Sequence, residues 1–177
     1  VPQRKVDEDY EVEYQEAGLH HSCALFSYED MERGKLSLFG EEISGLTIYR
    51  GWMMKPEMYS DFYTLLEQKG IYLINTPEEY ERYHTLPGWY DDFADETAQS
   101  VWETEGNVEN ALLKAKQLSG SYIVKDYVKS RKHEWYDACF ISNIADVANT
   151  ASVIKNFVER QGDSLVGGIV LRKFENL

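Results

Sequence analysis

The first half of the chain alternates short apolar runs with helix-patterned stretches, and this rhythm narrows the folds open to it. Residues 7–17 form an acidic stretch with Tyr10, Val12, Tyr14 and Ala17 interspersed, read as a helix closed by Gly18. Cys23-Ala24-Leu25-Phe26 reads as a buried strand, and residues 28–34 as a short helix ended by Gly34. Leu46-Thr47-Ile48-Tyr49 is the next strand and ends at Arg50-Gly51-Trp52. Residues 56–69 fit a helix: Pro56 suits the first turn, Met58, Phe62, Leu65 and Leu66 have helical spacing, and Gly70 stops it. A strand over 71–75 follows. Thr76-Pro77-Glu78-Glu79 then has the cap, the proline and the glutamate that open a helix running to about His84. Strand and helix in turn predict a parallel three-layer α/β unit.

The second half has a different order. Residues 86–106 read as irregular and acidic, holding Trp89, Tyr90 and Trp102. The domain seam is expected there, with domains over 1–88 and 89–177. A helix over 107–118 carries Val108, Ala111, Leu112 and Ala115 on one face, and Gly120 closes it. A strand over 122–127 leads into a basic cluster, and residues 138–141 read as its partner strand. A helix over 146–161 shows Val147, Ala151, Ile154 and Phe157 as a stripe, stopped by Gly162. Residues 165–174 are the last strand, interrupted early by Gly167-Gly168.

Charge excludes several functions. The 177 residues carry 18 Lys+Arg against 31 Asp+Glu, a net −13. A duplex nucleic acid or an anionic membrane is repelled by most of such a surface. A basic protein partner is attracted to it. Cys23 and Cys139 are far apart and flanked by apolar residues; no CxxC pair suggests zinc, and both read as reduced thiols of a cytoplasmic protein. No apolar run approaches a membrane span, and no signal-peptide pattern opens the chain. The sequence starts at Val1 and stops at Leu177, just past a strand-like segment, and both ends read as cuts in something longer.

Against that acidic background, Lys125, Lys129, Arg131 and Lys132 fall within eight residues. Even scatter would put roughly one cation in such a window. If the strand continued, Lys125, Tyr127, Lys129 and Arg131 would share one face. Cations gathered there repel one another unless an anion or carboxylates meet them, and a nucleotide triphosphate does this well. The same charges also fit a solvated hairpin tip paired with Asp126, Glu134 and Asp137. Arg50 sits at the end of a parallel strand, where ligands of open α/β sheets bind; it also fits a structural arginine paired with an acid. GxGxxG and GxxxxGK[ST] are absent. His20 and His21 are adjacent, and His84 and His133 stand alone, so no histidine site is readable.

Taken together, four blocks resemble one family. They are Tyr49-Arg50-Gly51-Trp52-Met53-Met54; Leu86-Pro87-Gly88-Trp89-Tyr90; Val124 through Ser130 with Glu134-Trp135 and Ala138-Cys139-Phe140-Ile141; and Gly168 through Phe174. They are similar to the ATP-grasp proteins of the two-arginine-one-lysine clade, which includes the cell-division-cycle protein 123 group. The resemblance runs from about Arg4 to Leu177. It implies a pre-ATP-grasp parallel α/β domain followed by the first, α+β lobe of an ATP-grasp fold. By analogy Lys125 reaches the nucleotide phosphates, and Lys129, Ser130 and Arg131 line the loop over them. Residues 171–175 would be the hinge against the adenine, bringing Arg172, Lys173 and Phe174 to the nucleotide, with Glu175 on the ribose. Arg50 would project toward the phosphate or acceptor side.

The activity the resemblance implies is ATP-dependent ligation of a carboxylate to an amine on a peptide or protein, through an acyl phosphate, with Mg²⁺ bridging the phosphates. Such proteins take their metal ligands from the lobe after the hinge, where this sequence stops, so no metal residue is assigned. The alternative is a non-catalytic acidic binding or immunity-type protein that meets a basic protein partner.

Overall fold

The structure is a computed structural model and describes residues 5–176. Val1, Arg4 and Leu177, which bound the resemblance and the reading of the ends, lie outside the described residues. The chain divides into two compact units, residues up to Glu81 and residues from Arg82.

In the first unit a single turn of 3-10 helix leads into α1 (Glu11–Gly18). Then come β1 (Ala24–Phe26), α2 (Tyr28–Glu32), β2 (Leu38–Gly40), β3 (Gly45–Thr47), α3 (Pro56–Glu67), β4 (Ile71–Leu73) and α4 (Pro77–His84). The expected parallel three-layer sheet is not what forms. β3 and β4 are parallel, joined through α3, but β1 pairs antiparallel with β2 in a separate sheet. β2 has no counterpart among the expected strands, because Leu38-Phe39-Gly40 is too short to show a period. Tyr59, Phe62 and Leu66 recur at helical spacing on α3 and are buried with Ile71 and Leu73 of β4. Pro56 stands in the first turn of α3. At the start of α4 the Thr76 N–H donates to Glu79 Oε2 at 2.9 Å, and the Glu79 N–H donates to Thr76 Oγ1 at 3.2 Å. This reciprocal box satisfies two N–H groups that a helix start otherwise leaves free.

The second unit is built on one antiparallel sheet. Its elements are α5 (Leu86–Trp89), β5 (Ser100–Trp102), α6 (Val108–Ala115), β6 (Tyr122–Lys125), α7 (Trp135–Ala138), β7 (Phe140–Ile141), α8 (Val147–Gln161) and β8 (Val170–Lys173). The strand order is β5-β8-β6-β7. The tract read as irregular therefore supplies an edge strand, Ser100-Val101-Trp102, with only three residues to show a pattern. The last strand is shorter than expected because Gly162 to Gly168 form a turn of 3-10 helix and a loop before it.

One face of this sheet is closed. Tyr122, Val124, Ile141 and Leu171 point to it and are buried with Ala111 and Ala115 of α6 and Val153, Ile154 and Phe157 of α8. Side chains alternate along a strand, so Ile123, Lys125, Val170 and Arg172 point to the other face. Asn107 and Asp146 cap α6 and α8, each accepting the N–H three residues on. Each such cap is worth about 1 kcal/mol.

Candidate functional site

β6 ends at Lys125, not near Arg131, and the cause is Asp126. This carboxylate is fully buried. Its Oδ1 accepts the N–H groups of Val128 at 2.7 Å and Lys129 at 2.5 Å, which turns the chain back at once. Its Oδ2 accepts from Gln161 Nε2 at 2.9 Å and from the Val166 N–H at 3.3 Å, tying the turn to α8 and to the loop before β8. Ser130 comes back to bridge Lys125. The shared strand face of Lys125, Tyr127, Lys129 and Arg131 thus does not form.

The cations of the cluster divide between two uses. Arg131 is held in place: it forks onto Glu134, and its Nη1 donates to the Arg160 carbonyl and to Gln161 Oε1, both at 3.1 Å. Arg160 also meets Glu134 at 3.6 Å and pairs with Asp137. This network raises the Arg131 guanidinium and lowers the Glu134 carboxyl from their ordinary values, each chiefly through the hydrogen bond to the other. Lys125 is different. Its ammonium donates to the Asp126 carbonyl at 3.0 Å, and no carboxylate lies within ion-pair distance among the described residues. Burial pulls it down to about 8, opposed by Asp126 and helped by Arg172 and Lys132.

Arg172 shares the sheet face with Lys125. It faces Ile123 across β6 and Ser100 across β5, one row from the Lys125–Val170 pair. Nη2 donates to Thr97 Oγ1 at 2.7 Å and Nη1 to Ser100 Oγ at 3.3 Å, and the guanidinium lies 5.8 Å from the Trp89 ring centre. No carboxylate pairs with it among the described residues. Tyr90 fixes the neighbouring edge: its hydroxyl accepts the Ser100 N–H at 3.0 Å, and its ring meets Trp102 edge-on at 5.4 Å.

Phe174 continues the same face. Its N–H donates to the Ser121 carbonyl at 2.9 Å, and its ring packs edge-on against Phe140 at 5.1 Å and Trp135 at 5.7 Å. Trp135 and Phe140 are stacked at 5.1 Å. All three rings are half-buried. The face therefore runs from a cationic end, Lys125 and Arg172, to an aromatic end. Rows two residues apart on a strand are about 7 Å apart.

The remaining expected residues are placed as follows. Lys129 is exposed in the Asp126 turn, and Ser130 lies beside Cys139, whose thiol burial pushes up. Lys173 pairs across β6 with core-facing Tyr122, so it leaves the sheet on the side opposite Arg172 and meets Glu175 at 3.7 Å. Arg50 belongs to the first unit, where Nε meets Glu13 Oε1 at 2.5 Å. That contact raises Arg50 and lowers Glu13. The Arg50 loop is clamped by phenols: Tyr49 bonds the Trp52 carbonyl, Tyr28 the Met53 carbonyl at 3.1 Å, and Tyr80 both backbone groups of Met54 at 3.0 Å.

Sequence reading took Asp126 only as a carboxylate partner of the cations, quoted Trp89, Trp135 and Phe140 only within the family blocks, and did not name Thr97 or Ser100. Only Asp126 left a signal, as an aspartate whose side chain bonds N–H groups two and three residues on. His84, which stood alone in the sequence, lies near the turn; burial first, then Lys129, pull it down.

Residues 113–177 match the model of family 3 of the ATP-grasp domains in the two-arginine-one-lysine clade. The match spans the end of α6, β6, the Asp126 turn, α7, β7, α8 and β8. No curated protein matches the chain. No solved structure does. Among the described residues, no group of three or more His, Cys, Asp or Glu is arranged to hold a metal ion, and no helix is long and apolar enough to cross a membrane.

Proposed function

We propose, from the ATP-grasp match over 113–177, that the sheet face of the second unit opposite the α6–α8 core binds ATP. One observation carries the reading: Lys125 and Arg172 are two cations on one face, without carboxylate partners among the described residues, within that match. A polyphosphate supplies the missing negative charge through charge-assisted hydrogen bonds. Phe174, Phe140 and Trp135 offer a purine an apolar end that begins in the Arg172 row at Phe140 and continues one row on at Phe174.

In this reading Lys125 and Arg172 contact phosphate oxygens, and Lys129 and Ser130 border them from the Asp126 turn. Arg172 is pre-set by Thr97, Ser100 and Trp89, so little side-chain freedom is lost on binding. Arg131 keeps the turn in place through Glu134 and Gln161. Glu175 and the backbone around Lys173 border the nucleotide's other end. The activity proposed is ligation of a carboxylate to an amine on a peptide or protein. Mg²⁺ goes with such chemistry, but the described residues offer it no ligand cluster, and no step is derived through it.

Calorimetric titration with ATP, with and without Mg²⁺, tests the site in the chain as it stands, beside Lys125→Ala and Arg172→Ala. Each variant is expected to weaken ATP at least tenfold, the scale of one lost charged hydrogen bond. Equal affinity in all three proteins would remove the site from this face. No binding by the parent chain would favour the non-catalytic, partner-binding reading.

A further inference from the structure

Arg172 is held by two hydroxyls, and they differ in what they have left to give. A hydroxyl oxygen accepts through its lone pairs and donates its one proton. Ser100 spends both: its Oγ accepts from Arg172 Nη1 at 3.3 Å and donates to the Ala98 carbonyl at 3.0 Å. It is also buried. Thr97 accepts from Arg172 Nη2 at 2.7 Å, but its own proton has no acceptor among the described residues. Thr97 is half-buried, so that proton is not sealed into the core.

The place of Thr97 is fixed by its neighbours. The Gln99 carbonyl accepts the Lys173 N–H at 2.7 Å, and Gln99 Oε1 accepts the Tyr122 hydroxyl at 3.0 Å. These bonds hold the chain entering β5 against β8 and β6. Earlier in the same segment, the Leu86 N–H donates to the Tyr127 carbonyl at 2.8 Å, the Tyr90 ring stands against Trp102, and the Trp89 ring against Arg172. Trp102, Val170 and Lys125 form one row across the sheet, and Ser100, Arg172, Ile123 and Phe140 the next. Residues 86–97 thus wall the β5 end of the face that carries Lys125 and Arg172.

An anion that reaches Arg172 therefore meets Thr97 as well. The guanidinium has more N–H groups than the two hydroxyls take. A phosphate bonded to a remaining N–H of Nη2 brings a second oxygen within reach of the Thr97 proton. A hydrogen bond from that hydroxyl to a charged oxygen is of the stronger kind.

We propose that Thr97 binds the nucleotide directly: its hydroxyl accepts from Arg172 and donates to an oxygen of the phosphate that Arg172 contacts, whereas Ser100 only holds Arg172 in place. This rests on the sheet face above being the ATP site, and it adds a residue from outside the 113–177 match.

The test is titration of the full chain with ATP, by displacement of a fluorescent ATP analogue so that weak binders are also measured. Thr97→Val keeps the branched shape and removes the hydroxyl, and it should weaken ATP about tenfold, the scale of one hydrogen bond to a charged group. Thr97→Ser, which keeps the hydroxyl, should bind like the parent. If Thr97→Val does not fold, Thr97→Ala replaces it with the same expectation. The Arg172→Ala background separates contact from positioning. There Thr97→Val should still weaken ATP, while Ser100→Ala should have no further effect. Loss of the Thr97→Val effect in that background would reduce Thr97 to a positioning residue and overturn the proposal. Parent-like binding by Thr97→Val, with Arg172→Ala weakened, would overturn it and leave the nucleotide face standing. No binding by the parent chain, or equal binding by Arg172→Ala, would overturn both.

Discussion

At the scale of single residues, neighbouring side chains on one segment have opposite duties. Lys125 is held near its deprotonation point by burial, at about 8, whereas Arg131 is fixed in its charged form by Glu134. Lys125 is easier to deprotonate folded than unfolded. Its charge therefore opposes folding below about pH 8, and this opposition fades as pH rises toward the ordinary lysine range. Binding has the reverse trend, because phosphate needs the ammonium. ATP affinity should fall as pH is raised from about 8, and Lys125→Arg should flatten the profile. Titrations at about pH 7 and about pH 9.5, either side of that value, check this, and an identical decline in both proteins would exclude Lys125 as its source. Asp126 works by accepting hydrogen bonds, not by contacting a ligand. Asp126→Ala leaves buried N–H groups unmet and should cost about 3 kcal/mol in urea unfolding, with Asp126→Asn in between.

At the scale of elements, the second unit depends on how β8 is launched. The Glu103 carboxylate is buried and accepts N–H groups of Ile169 at 2.6 Å, Glu105 at 2.9 Å and Asn107 at 3.1 Å. It joins the end of β5, the start of β8 and the cap of α6. Gly168 lies flat against it: a Cβ there would stand 1.8 Å from the Glu103 carbonyl oxygen. Backbone must move to admit a methyl group, so Gly168→Ala should cost about 2 kcal/mol, seen as a lower urea midpoint with an unchanged slope. Because β8 carries Arg172, the variant should also weaken ATP. Unchanged stability would mean that this crossing yields easily. The short β6 follows the same logic in reverse, since Asp126 stops the strand where the ladder to Val170 ends.

At the scale of the whole molecule, charge is unevenly distributed. The second unit holds 11 Lys+Arg against 14 Asp+Glu, a net −3, beside −10 on the first. Self-repulsion among carboxylates opposes compaction and is screened by salt. Raising NaCl from about 20 mM to about 500 mM, a Debye length falling from about 20 Å to about 4 Å, should raise the melting temperature. A fall would show that surface pairs such as Arg50–Glu13 and Arg82–Asp92 outweigh the repulsion.

What the sequence determined by itself is local. The helix starts at Pro56, Thr76, Asn107 and Asp146, the stops at Gly34 and Gly162, and the strands of Leu46 and Tyr122 rest on caps, periods and φ preferences that act within a few residues. The Lys125 segment was also legible, because a cation cluster stands out in an acidic chain, and two of the four family blocks, those from Val124 to Ile141 and from Gly168 to Phe174, lie within the family match. Tertiary structure decided the rest. β5 is a strand because β8 offers it an edge, and nothing in Ser100-Val101-Trp102 alone requires that. Arg131 left the strand face because Asp126 finds partners on α8 and beyond it, at Gln161 and Val166. Arg172, which the family resemblance brings to the nucleotide, is held in place by Thr97, Ser100 and Trp89, which converge on it from distant positions. Hydrogen bonds between residues far apart in the chain leave no period to read, so only the folded molecule shows which cations are already paired and which remain free for an anion.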